Sequence, residues 1–134
     1  MFEIIVNEKS YKIAYNYETL ANSTAFDNKK SNNVSARISE IAELLLTGMQ
    51  VYHYNDFPIE TDSQKKKSLK KIYALMETYE EESTEEAPKN IFDLGEKMTD
   101  ELMKKGFFAR MRQAEAEARA KLVQEVIEAG KKNN

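Results

Sequence analysis

The chain contains one histidine, His53, and no cysteine. A catalytic or metal-binding histidine needs convergent partners, and one imidazole without thiolates cannot build the usual transition-metal sites. The same residue would have to serve any serine triad, and no Gly-x-Ser-x-Gly elbow accompanies it. His53 therefore reads as an ordinary, partly buried histidine between Tyr52 and Tyr54. The chain has only 4 glycines, and they form no phosphate-cradling loop. Glu80, Glu81, Glu82, Glu85 and Glu86 form an acidic run that lacks the spacing and turn glycine of a calcium loop. It reads as a solvated charge run. Paired-carboxylate catalysis needs two acids held in distinct environments across a cleft, and nothing in the pattern points to such burial. An enzyme is the weakest class these residues allow, and no catalytic residue, metal or cofactor is expected.

Binding surfaces are better represented. Lys65, Lys66, Lys67, Lys70 and Lys71 make a basic patch. A nucleic-acid surface would interleave such charge with aromatics or arginines, and a net charge of -3 with a pI near 5.4 gives no general grip on phosphate. The patch reads as a solvated helix face, with docking of an acidic partner segment as the alternative. Gly106-Phe107-Phe108 is a second feature, an aromatic doublet in a charged, helix-forming stretch. Adjacent side chains on a helix diverge by about 100°, so one face of one element struggles to bury both rings. Met98, Met103 and Met111 surround the doublet, and flexible methionines suit surfaces that adapt to varied partners. Met98, Leu102, Met103, Phe107, Phe108 and Met111 are thus the candidate partner-binding set. Burial of the doublet in the chain's own core is the equal alternative.

The elements that must position these residues follow from periodicity. A chain of 134 residues is long enough for one domain that buries roughly two-thirds of its unfolded surface. Its 32% charged content and mean hydropathy of -0.68 fit amphipathic helices better than a thick buried sheet. Phe2 to Val6, a turn at Asn7 to Ser10, and the alternating Tyr11 to Tyr15 predict a β-hairpin. Tyr17 to Phe26 predicts a short helix and Asp27 to Asn33 a polar loop. Val34, Ile38, Ile41, Ala42 and Leu45 form a helical stripe that ends at Gly48, placed for a left-handed cap. Met49 to Phe57 reads as irregular. A helix from Thr61 or Asp62 to about Glu82 turns Leu69, Ile72, Tyr73, Met76 and Tyr79 inward, although its lysines precede its glutamates against the helix dipole. Asn90 can cap a further helix carrying Ile91, Leu94, Met98 and Leu102 to about Lys105. A solvated final helix follows Gly106, supported by Glu115/Arg119 and Glu117/Lys121 pairs and ending in an apolar patch of Leu122, Val123, Val126 and Ile127.

The expected fold is α+β and mostly α, an N-terminal β-hairpin followed by four or five amphipathic helices. The expected organisation is a hairpin and helical core over 1–82, an acidic linker over 83–89, and C-terminal helices with a charged tail over 90–134. No apolar run approaches the ~20 residues that span a bilayer, and the N-terminus has no basic-then-apolar signal pattern. A soluble, intracellular protein is expected.

The order of these pieces resembles the tail assembly chaperones of long-tailed phages that infect Gram-positive bacteria. The resemblance rests on Ile4, Val6, Asn7, Lys9, Tyr11 and Ile13 in the hairpin, then Leu45, Leu46 and Gly48, then Phe107 and Phe108. It covers most of Met1 to Met111, and the charged extension Arg112 to Asn134 and the lysine-rich helix start depart from it. The resemblance implies a homo-oligomer in the host cytoplasm, absent from the mature virion. It would bind and solubilise the tape measure protein and help recruit tail tube protein, without touching nucleic acid or membrane. It also implies a longer product made by programmed frameshifting, for which the codons of Gly130-Lys131-Lys132 could supply an A-rich slippery run. A connector or tail-completion protein that stays in the virion, and a small cytosolic adaptor that binds a helix, are the rival classes.

Overall fold

The computed structural model describes residues 1–23, 33–104 and 107–132; in the last segment it describes the side chains of 116–127 and 130. Strands β1 (Phe2–Val6) and β2 (Lys9–Ile13) are followed by helices α1 (Tyr17–Ala21), α2 (Val34–Met49), α3 (Asp62–Glu81), α4 (Ile91–Lys104) and α5 (Phe107–Lys132). The fold is α+β and mostly α, an antiparallel hairpin followed by five helices. Two compact units divide after Glu101, inside α4. Helix α1 ends at Ala21 with Asn22 as its C-cap, short of the expected Phe26, and the polar loop expected after it falls mainly on 24–32, outside the described residues.

The hairpin turns on Asn7 and Glu8, with φ of 51° and 65°. Positive φ at both central residues marks a two-residue turn whose twist matches the strands it joins. Lys9 and Ser10, expected in the turn, therefore already belong to β2. The strand ends at Ile13, so Ala14 and Tyr15 leave the ladder. The register Phe2↔Ile13, Ile4↔Tyr11 and Val6↔Lys9 turns Ile4, Val6 and Ile13 into the core and leaves Ile5 exposed. The outer edge of β1 is guarded: Ile5 O accepts from Lys89 Nζ at 3.2 Å, and the Asn7 N–H donates to Glu82 Oε1 at 2.6 Å. Such charged contacts discourage edge-to-edge pairing.

Ala14 and Tyr15 cross the last turn of α2. The Ala14 N–H donates to Gly48 O at 3.0 Å, and the buried Tyr15 hydroxyl donates to Leu44 O at 2.9 Å. Burial, reinforced by nearby Glu101, pushes the Tyr15 phenol far above its usual pKa, so it stays a neutral donor. Gly48 is not the left-handed cap that the sequence suggests. It lies within α2, and Gln50 caps the helix in right-handed geometry. Gly48 is needed for clearance, since a Cβ there would sit 2.6 Å from Ile13 Cγ2 and 3.0 Å from the Tyr15 hydroxyl.

Helix α2 buries Ile41, Ala42, Leu45, Leu46 and Met49, whereas Val34, counted in the stripe, is exposed in its first turn. Thr61 starts α3 with a capping box, its side chain accepting from Gln64 N–H while the Gln64 side chain accepts from Thr61 N–H. Ser68, Ile72, Leu75, Met76 and Tyr79 form the buried face of α3; Tyr73 is exposed and Ser68 takes an inward place, donating to Pro58 O at 2.7 Å. Burial of this face outweighs the few tenths of a kcal/mol per exposed charge that the reversed charge order costs. Asn90 Oδ1 accepts from Phe92 N–H at 2.7 Å, as expected of a cap for α4. Gly95 brings α4 against α2, where an added Cβ would approach Ile41 Cγ1 to 3.1 Å. The buried Glu101 carboxylate pairs with the Met1 ammonium and ties α4 to the start of β1.

Gly48→Ala tests the crossing. The helix-propensity gain of about 1 kcal/mol opposes an overpacking cost of about 1–3 kcal/mol at the Ile13 contact. A net loss of up to about 2 kcal/mol in urea unfolding is expected.

Candidate functional site

The sequence-derived binding set is divided by the structure. Met98 and Leu102 are buried, with 0% and 3% of their surface exposed, so they serve packing rather than partner contact. Their i, i+4 stripe is the buried face of α4, with Ile91 and Leu94. Met103 is half-buried. The side chains of Phe107, Phe108 and Met111 lie outside the described residues, although their backbone is helical.

The exposed apolar surface lies further along α5. Leu122, Val123, Val126 and Ile127 are 61%, 58%, 67% and 48% exposed. Leu122/Val126 and Val123/Ile127 are i, i+4 pairs, so the four occupy one side of the helix over nearly two turns. Every described side chain from Ala116 to Ile127 is exposed. Over its described side chains α5 gains little from burial within its own chain, and the apolar stripe stands in water. The sequence shows the patch, but the apolar content around it is thin and the Phe107-Phe108 doublet is the stronger aromatic signal.

His53 has a structural role at the hairpin. Its Nε2 accepts from Lys12 N–H at 2.9 Å and covers the outward edge of β2. Its ring lies 5.4 Å from Tyr11, which also meets Phe57 at 6.4 Å. Asp56 faces Nδ1 at 4.0 Å and also meets Lys9 Nζ at 3.4 Å. Desolvation, which lowers the His53 pKa, exceeds the raising effect of Asp56; Lys9 and Lys12 lower it further. The neutral ring is the form that can accept from Lys12.

The basic patch is partly engaged. Lys65 pairs with Glu43 at 3.7 Å, and Lys71 donates to Asp56 O at 3.1 Å, while Lys66, Lys67 and Lys70 are exposed. In the acidic run, Glu82 pairs with Lys89 at 3.6 Å. Among the described residues no group of three His, Asp or Glu is placed to hold a metal ion. Among them, too, no helix is long and apolar enough to cross a membrane.

No family model, curated protein or solved structure matches the chain. Function must be argued from its own surfaces.

Two expectations follow. Met98→Ala removes a fully buried side chain and should cost about 2–5 kcal/mol, whereas Val126→Ser should change unfolding free energy by less than about 0.5 kcal/mol. The second concerns pH. A histidine whose folded pKa lies below its unfolded value of 6.5 contributes stability that is fully present above pH 6.5 and is lost as pH falls through the folded value. The urea midpoint should drop between pH 7.5 and 5.5, and His53→Gln should flatten that drop.

Proposed function

We propose that the protein is a non-enzymatic tail assembly chaperone of a long-tailed phage, acting in the host cytoplasm. It binds the tape measure protein, keeps it soluble, and helps recruit tail tube protein during tail assembly. The observation that carries this reading is the exposed Leu122, Val123, Val126 and Ile127 face on α5, in a unit separate from the packed residues Met1–Glu101. The resemblance of the hairpin and of the Leu45-Leu46-Thr47-Gly48 segment to that family adds to it.

The physics of the task suits such a surface. A long helical cargo with apolar faces aggregates until those faces are covered. An amphipathic helix can cover them by packing its own apolar stripe against theirs. Four aliphatic side chains give modest affinity per copy, and strength comes from many copies along one cargo chain. Modest affinity also lets tube protein displace each copy. A homo-oligomeric state fits this use of repeated weak contacts.

Co-expression with a tape measure protein from the same genome tests the reading. The wild-type chain should move that protein into the soluble fraction. The double variant Leu122→Ser/Val126→Ser should keep the stability of the parent yet bind the cargo about tenfold or more weakly, from the loss of about 1.5 kcal/mol or more of apolar burial. An unchanged yield of soluble cargo with the double variant would sink the assignment of the α5 stripe. Detection of the chain in purified virions would favour a structural tail component instead.

A further inference from the structure

The charges on the outer face of α3 are badly placed for their own helix. Lys66, Lys67 and Lys70 lie in its first half, and Glu77, Glu80 and Glu81 in its second, an order that opposes the helix dipole. Like charges also fall on neighbouring turns. Lys66/Lys70 and Glu77/Glu81 are i, i+4 pairs, and Lys67/Lys70 and Glu77/Glu80 are i, i+3 pairs, each mildly repulsive. Unlike charges cannot meet along the helix, because Lys70 and Glu77 stand two turns, about 10 Å, apart. All six side chains are exposed, and among the described residues none of them takes part in an ion pair.

The same order is self-complementary between two antiparallel copies. With Tyr73 set beside the partner's Ala74, Lys70 faces the partner's Glu77, Lys67 the partner's Glu80 and Lys66 the partner's Glu81. A two-fold axis repeats each contact, as in any isologous interface. It also sets each lysine-rich start beside the negative end of a partner helix, which offsets the unfavourable charge order within the chain. These residues form one stripe, opposite the buried face that carries Ile72, Met76 and Tyr79. Tyr73 lies at its midpoint with 37% of its surface exposed, and the adjoining exposed Ala74 is small enough for a partner ring to lie over it.

We infer that the exposed face of α3 pairs with the same face of a second copy of this chain, antiparallel about a two-fold axis between Tyr73 and Ala74. A second copy answers both halves of the pattern. An acidic segment of another protein would use the lysines and leave the glutamates without a role. Exposed ion pairs are individually weak and screened by salt, so the dimer is weak and salt-sensitive. It is favoured wherever copies are held close together. The inference rests on α3 alone and does not need the chaperone reading.

Sedimentation of the full chain tests this. At low salt the wild type should form a concentration-dependent dimer, about tenfold weaker in about 0.5 M salt. Lys67→Glu/Lys70→Glu and Glu77→Lys/Glu80→Lys should each lose the dimer, and an equimolar mixture of the two variants should restore it as a heterodimer. A wild type that is monomeric at every concentration, association indifferent to salt, or a mixture that stays monomeric overturns the inference. Cross-linking of the otherwise unaltered, cysteine-free chain gives a second reading that does not depend on the charge variants folding. Ala74→Cys, beside the axis, should yield a disulfide-linked dimer. Lys66→Cys should not, since its two copies would stand about 22 Å apart along the helices. Equal cross-linking at both positions overturns the antiparallel arrangement. Leu122→Ser/Val126→Ser should leave the dimer intact, and its loss in that variant would assign self-association to α5 and overturn the inference. A chain that pairs as described yet fails to solubilise tape measure protein keeps this interface and loses the chaperone reading.

Discussion

The compact unit depends on the passage of one strand end over one helix turn. Ile13, Ala14 and Tyr15 cross α2 at Gly48, close enough that a single added methyl would collide with Ile13. That approach permits the Ala14 N–H to reach Gly48 O and the Tyr15 hydroxyl to reach Leu44 O. An isolated two-stranded hairpin is marginal in water, so its stability comes from this seat on α2 and from the apolar face it lays against the helices. The contact also locates the segment after α2, whose His53 covers the β2 edge and whose Gln50 amide donates to Leu46 O and Phe57 O. Helices α3 and α4 close the core on this frame, through Ile72, Met76 and Tyr79 on one side and Leu94 and Met98 on the other.

Much of this architecture could be read from the residues. The hairpin and the start of α3 carry local signals, since alternation and a Thr-x-x-Gln box act within a few residues. Gly48 was legible as a special position but not for its reason, because helix endings and close crossings both require glycine and only the third dimension separates them. Tyr73, expected inward, is exposed, and Ser68 is turned inward where the Pro58 carbonyl accepts from its hydroxyl. Met98 and Leu102 show the limit of stripe analysis, since the same spacing marks a buried face and a binding face.

The division of labour that emerges separates rigidity from contact. Residues up to Glu101 are held by burial, caps and ion pairs. Helix α5 is held by its own backbone hydrogen bonds, and it keeps four aliphatic side chains in water. Keeping such a stripe exposed is unfavourable for a chain acting alone. It is what a carrier of apolar helices requires, because a surface already satisfied within the chain could not cover another.

Hydrogen exchange of the full chain with and without the tape measure protein tests this claim most directly. Binding through α5 predicts slowed exchange across Ala116 to Ile127, with Met98 and its neighbours in the α4 core unchanged. Protection that spares α5 and falls elsewhere, or no protection while the two proteins co-purify, would contradict the account.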